Sequence, residues 1–168
     1  MRAAGRAAAL WDVLREVLDP EVPVLSVVDL GIVRDVEVEG DAVVVTVTPT
    51  YSGCPAMREI ERGIRDALAR AGHPDAVVRT AYAPPWTSDW ISDEGRRKLR
   101  EYGIAPPGPA PAEEDALVSI MPRRAATLPC PFCGSTRTTL RSEFGSTACK
   151  SMMFCDDCRQ PFEAFKAI

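Results

Sequence analysis

The sequence predicts an α+β domain, ordered helix, strand, strand, helix, strand, followed by a small module folded around a metal ion. Three observations predict it. Apolar residues recur at helical spacing, alternate through two strand-like runs, return to helical spacing and then alternate once more. A stretch rich in Pro, Ala, Gly and Glu begins at Ala105, and beyond it stand two C-x-x-C pairs. With 168 residues and 46% apolar content the larger piece has enough material for a core, which excludes a disordered chain.

Leu10, Trp11, Leu14, Val17 and Leu18 lie at helical spacing with Asp12, Arg15 and Glu16 between them, which predicts an amphipathic helix over residues 7–18. The stretch Asp19-Pro20-Glu21-Val22-Pro23 stops it, because two prolines three residues apart favour a stiff extended turn. Val24 to Leu30 and a break at Gly31 lead into Ile32 to Glu39, where Val36 and Val38 alternate with Asp35, Glu37 and Glu39. That alternation reads as a half-buried strand, Gly40-Asp41 as a hairpin turn and Ala42 to Thr48 as the partner strand. Met57, Ile60, Ile64, Leu68 and Ala71 make one apolar stripe of a second helix, which leaves through Gly72-His73-Pro74. Ala76 to Tyr82 completes the domain as a third strand.

Between the second strand and the second helix lies Thr48-Pro49-Thr50-Tyr51-Ser52-Gly53-Cys54-Pro55. Pro55 suits a first helical position and Gly53 a tight turn, which puts Cys54 at the helix N-cap. There the free N–H groups and the helix dipole favour the thiolate, the form that binds metals and attacks electrophiles. A plain packing role as a small apolar plug is the competing reading.

Trp86 and Trp90 sit in a proline-bounded loop, Pro84 to Ile91, as a cover for the sheet edge, a wall around Cys54 or a partner anchor. Ser92 caps a short helix from Asp93 to Tyr102, with Gly103 at its exit. Composition then divides the chain into a domain at 1–104, a semi-stiff linker at 105–122 and a terminal module at 123–168. That module is too small to fold on apolar burial alone. Cys130, Cys133, Cys155 and Cys158, with strand-like Thr138 to Phe144 and Lys150 to Phe154 between the pairs, supply the missing staple as a zinc ribbon. Four thiolates leave no open position for water, so the Zn²⁺ is structural. A rubredoxin-like iron and an iron-sulfur cluster are the rival occupants. Cys149 reads as ribbon packing, and His73, the single histidine, takes no chemistry.

The net charge of −4 gives no field for nucleic acid or an anionic membrane, and no apolar run is long enough to span a bilayer. These features, with paired cysteines that suit metal rather than disulfides, predict a cytoplasmic protein.

Asp19-Pro20-Glu21-Val22-Pro23, Asp29-Leu30-Gly31-Ile32-Val33 and the Thr48 to Pro55 turn resemble the iron-sulfur assembly domain that includes the SufT proteins. With Pro85-Trp86-Thr87-Ser88-Asp89-Trp90-Ile91 and the ribbon stretch Phe144 to Lys150, the longer pattern resembles the PaaD family, the D components of multicomponent phenylacetyl-CoA epoxidases. The resemblance implies aerobic phenylacetate breakdown, in which a di-iron oxygenase subunit epoxidises the aromatic ring and a flavin and [2Fe-2S] reductase supplies electrons. The D component is then a non-catalytic accessory that assists assembly of an iron or iron-sulfur centre in a partner. Cys54 would hold iron or a cluster transiently, with Asp19, Glu21 and Asp29 as hard ligands or orienting groups. One thiolate cannot complete a cluster, so a homodimer or a client supplies the rest. Two other functions compete. One is a cysteine-dependent enzyme acting on a thioester, for which no partner base is visible. The other is a nucleic-acid-binding ribbon, against which stands a net of only +3 from Arg123 onward, seven basic against four acidic side chains.

Overall fold

A computed structural model describes residues 2–51, 53–109 and 128–168. It comprises two compact units, Met1–Trp86 with Trp90–Gly95, and Thr87–Asp89 with Arg96–Ile168.

The first unit has the predicted order. Helix α1 (Arg2–Leu14) precedes the hairpin of β1 (Val33–Glu39) and β2 (Ala42–Val47), then α2 (Met57–Arg70) and β3 (Val77–Thr80). The sheet runs β1-β2-β3, with β1 antiparallel and β3 parallel to β2. Glu39 faces Ala42 across the turn, where Gly40 takes φ 60°, as the first central residue of a type II′ hairpin requires. Val43, Val45 and Val47 of β2 are buried together with Ile60, Ile64 and Leu68 of α2 and Leu10 and Leu14 of α1. Helix α2 ends in a Schellman arrangement: Gly72, at φ 92°, donates its N–H to Ala69 and His73 to Leu68.

Helix α1 stops short of the expected 18. Residues 17–19 instead pair with 25–27: Val27 N–H donates to the Val17 carbonyl, Asp19 N–H to that of Leu25, and Leu18 bridges Ser26. Pro20 disfavours helix at Asp19, and the extended pairing buries Val17 and Leu25 together with Val27.

The tryptophan loop closes on the turn after this pairing. Trp86 is buried and its indole N–H donates to the Leu30 carbonyl at 2.9 Å. Gly31 holds φ 68°, and a Cβ there would stand 2.6 Å from the Trp90 carbonyl oxygen, so only glycine fits. The Arg34 guanidinium lies 3.4 Å above the Trp90 ring. Ser92 caps α3 (Asp93–Tyr102) as expected, its hydroxyl accepting the Gly95 N–H at 2.9 Å.

In the second unit β4 (Ile104–Ala105), β5 (Thr138–Ser142), β6 (Lys150–Cys155) and β7 (Pro161–Phe165) form one sheet ordered β4-β7-β6-β5. Composition places the boundary after 104; strand pairing groups Arg96 to Ala105 with the ribbon instead, because β4 pairs parallel with β7. Ala105 packs into the ribbon core with Cys130, Met153, Cys155, Phe162 and Ala164. Ser88 N–H and the Thr87 hydroxyl both donate to the Ile168 carbonyl, which ties the segment after β7 within the same unit. Of the expected linker and ribbon start, 110–127 lie outside the described residues.

Candidate functional site

Cys54 lies in the turn between β2 and α2. Its N–H donates to the Tyr51 carbonyl at 3.1 Å, and its own carbonyl accepts from Met57 at 3.4 Å. The helix N-cap is Ala56, already in helical conformation and without a side-chain cap, so the expectation of Cys54 as N-cap and Pro55 as first helical residue is corrected by two residues. One element of that expectation survives: the Ala56 N–H hydrogen-bonds the Cys54 sulfur.

The expected thiolate does not follow. The sulfur is half-buried, and this burial, the largest influence on it, pushes the thiol above its ordinary value. The Ala56 N–H and the Thr50 hydroxyl pull the other way, while the charges of Glu21 and Asp19 push it further up. The thiol is therefore favoured over the thiolate, with two carboxylates within electrostatic reach. Sequence pattern offered no signal for Thr50 as the partner of the sulfur beyond its place in the same turn.

The three acidic candidates separate. Asp19 is buried, and its Oδ1 accepts the N–H groups of Glu21 and Val22 at 2.8 and 2.7 Å, which shapes the Pro20 to Pro23 turn. Asp29 instead exchanges hydrogen bonds with Ser26, whose N–H donates to its carboxylate and whose hydroxyl accepts its N–H. The Ser92 hydroxyl donates to the other Asp29 oxygen at 3.3 Å. Glu21 and Asp19 are the acidic influences on Cys54; Asp29 serves the frame that Ser26 and Ser92 share.

In the ribbon, Cys130, Cys133, Cys155 and Cys158 come together with all four sulfurs within 4.8 Å of one another. Cys130 and Cys158 are 3.7 Å apart, Cys133 and Cys155 3.6 Å. A tetrahedral zinc with Zn–S of about 2.3 Å needs sulfur-to-sulfur edges of about 3.8 Å, so the donor set fits. The knuckle backbones aim N–H groups at the sulfurs, with unequal results. Cys155 is drawn down to about 7, chiefly by the Cys158 N–H aimed at it, whereas Cys133 is raised despite the Ser135 N–H, and Cys158 is pushed up to about 12, first by burial and then by the neighbouring sulfurs, despite the Gln160 N–H. Cys149 stands outside this cluster, buried and 3.1 Å from the Thr147 hydroxyl. Among the described residues no helix is long and apolar enough to cross a membrane.

Comparison with known proteins follows this division. Residues 7–79 match the family described as iron-sulfur cluster assembly protein, and residues 117–166 the PaaD zinc beta ribbon domain. The protein assigned as the D component of 1,2-phenylacetyl-CoA epoxidase in Escherichia coli (strain K12) is 45% identical over 95% of this chain and 92% of its own length. An Fe-S protein maturation auxiliary factor of Porphyromonas gingivalis is 36% identical over 51% of this chain and 83% of its own. A crystal structure of a domain of unknown function from Bacillus anthracis superposes with a TM-score of 0.56 at 27% identity, covering 59% of this chain and 95% of that domain.

Proposed function

Because the chain belongs to the PaaD family of phenylacetyl-CoA epoxidase components, here an iron-sulfur-assembly domain joined to a zinc ribbon, we propose that it is a non-catalytic accessory component of that epoxidase. Its role is to assist assembly of an iron or iron-sulfur centre in the oxygenase or reductase subunit, in the cytoplasm. The observation that carries this reading is the Cys54 site: one half-buried sulfur within electrostatic reach of Glu21 and Asp19, inside the segment shared with Fe-S maturation factors. Burial and the two carboxylates hold the thiol neutral at rest, which protects it from stray oxidation. An arriving iron cation reverses the sign of the carboxylate effect and displaces the thiol proton. A lone sulfur holds such cargo incompletely, so the client or a second protomer supplies the remaining ligands, and transfer is favoured over storage. The ribbon sulfurs hold a structural Zn²⁺ and form a docking module.

The test is a Cys54→Ser variant in cells that make the whole complex, followed by anaerobic purification. Iron and sulfide in the client should fall, zinc should stay, and oxygenase reconstituted with metal should work without this protein. A reconstituted oxygenase that still requires the wild-type protein in each turnover would replace assembly with a direct catalytic role.

A further inference from the structure

Along β6, Met153 and Cys155 belong to the ribbon core, while Met152 and Phe154 alternate with them and are only half-buried, so this second pair lies on the outer face. There the Phe154 ring collects two cations. The Arg141 guanidinium lies 4.9 Å from its centroid and that of Arg159 5.3 Å. Both arginines are exposed, and among the described residues neither side chain has an ion-pair partner, in contrast to Arg137, which pairs with Asp157, and Lys150, which pairs with Glu163.

The backbone supplies an independent observation. The residue after each C-x-x-C pair is left-handed: Gly134 at φ 75°, Arg159 at φ 60°. Glycine takes this conformation freely and arginine does not. The first knuckle shows that glycine suffices for the turn, so an arginine at the left-handed position of the second is not required by the backbone.

We propose that Phe154 with Arg141 and Arg159 forms a docking surface for a carboxylate-rich segment of a partner subunit of the epoxidase, an inference that rests on the accessory-component reading above. A guanidinium takes a carboxylate in two parallel hydrogen bonds, and two guanidiniums without an internal acid leave two such places open. Aromatic and arginine side chains are the residues that dominate binding energy at protein interfaces. A nucleic-acid strand is held through many phosphates, and residues 128–168 carry five basic against four acidic side chains, too little for that.

The experiment titrates full-length protein with the purified oxygenase and reductase subunits at low and physiological salt, for wild type and for a double variant, Arg141→Ala with Arg159→Gly. Glycine relaxes the left-handed position, so the variant keeps its metal content and thermal midpoint. Association should weaken at least about tenfold, with a shallower salt dependence. Wild-type affinity in the double variant overturns the docking surface and leaves the accessory reading standing. Failure of the wild-type protein to bind any of the epoxidase subunits overturns both. Tight binding of a single-stranded oligonucleotide, lost in the double variant while subunit association persists, overturns the proposal in favour of nucleic acid.

Discussion

The two cysteine sites of this protein solve opposite problems. In the ribbon, four sulfurs stand within 4.8 Å of one another, each C-x-x-C loop aims N–H groups at them, and the cluster that buries Cys130 and Cys155 is small, with Ala105, Met153, Phe162 and Ala164 as its other buried members. In the first unit a single sulfur is held neutral by burial and by carboxylates, while the fold around it stands on the packing of two helices against a sheet. A complete donor set that the fold depends on makes a structural site; an incomplete one that the fold does not need is available for exchange.

The contrast breaks most visibly at the ribbon. Replacing Cys130 or Cys155 by Ser removes a ligand from the buried side of the cluster, and structural zinc contributes about 10 to 16 kcal/mol in comparable peptides. Metal content should fall to near zero and the second unit should lose its dispersed NMR signals, while signals of the first unit persist. A chelator should do the same. Retention of a folded, metal-free ribbon in either experiment would contradict a metal-dependent fold.

The first unit should answer to packing and not to chelators. Gly31→Ala asks for a Cβ 2.6 Å from the Trp90 carbonyl oxygen and 2.7 Å from its Cβ, at φ 68°. Left-handed strain and overpacking together predict a loss of about 2 to 4 kcal/mol in urea unfolding, with metal content unchanged. A loss below about 1 kcal/mol would mean that the tryptophan loop yields easily, and that the Leu30 carbonyl bond to Trp86 is not what holds it.

The same contrast explains what sequence could and could not convey. The gathering of Cys130, Cys133, Cys155 and Cys158 was legible because the spacing is local: two residues between cysteines make a knuckle whatever surrounds it. The helix and strand order was legible because periodicity is local too, as in the Ile60, Ile64 and Leu68 stripe. The state of Cys54 was not: the family resemblance already grouped Glu21 and Asp19 with it, but burial, which no motif displays, outweighs the N–H of Ala56. The tail of α1 was misread for a related reason. Val17 and Leu18 fit a helical stripe, yet the extended pairing with Leu25 to Val27 satisfies the backbone and buries Val17, leaving Leu18 exposed, once Pro20 disfavours the helix. Asp29, which the family resemblance groups with Cys54, exchanges hydrogen bonds with Ser26 and accepts one from Ser92, 63 positions away, a contact that no local pattern displays.

The smallest effect probes the sulfur itself. Alkylation rate follows the thiolate fraction, and a thiol raised above its ordinary value has less thiolate than a free cysteine at any given pH. Site-resolved mass spectrometry at pH 8 should therefore find Cys54 slower to react with iodoacetamide than a cysteine in a short peptide, its rate still climbing at pH 9. Glu21→Gln removes a charge that disfavours the thiolate, so the thiol value falls and the rate at fixed pH rises, by about two- to threefold. Asp19→Asn acts in the same direction but less, because Glu21 is the stronger of the two influences and Asn keeps an oxygen for the N–H groups of Glu21 and Val22. A Glu21→Gln rate equal to or below wild type would mean that this carboxylate does not reach the sulfur, leaving an arriving cation with no acidic companion from that turn.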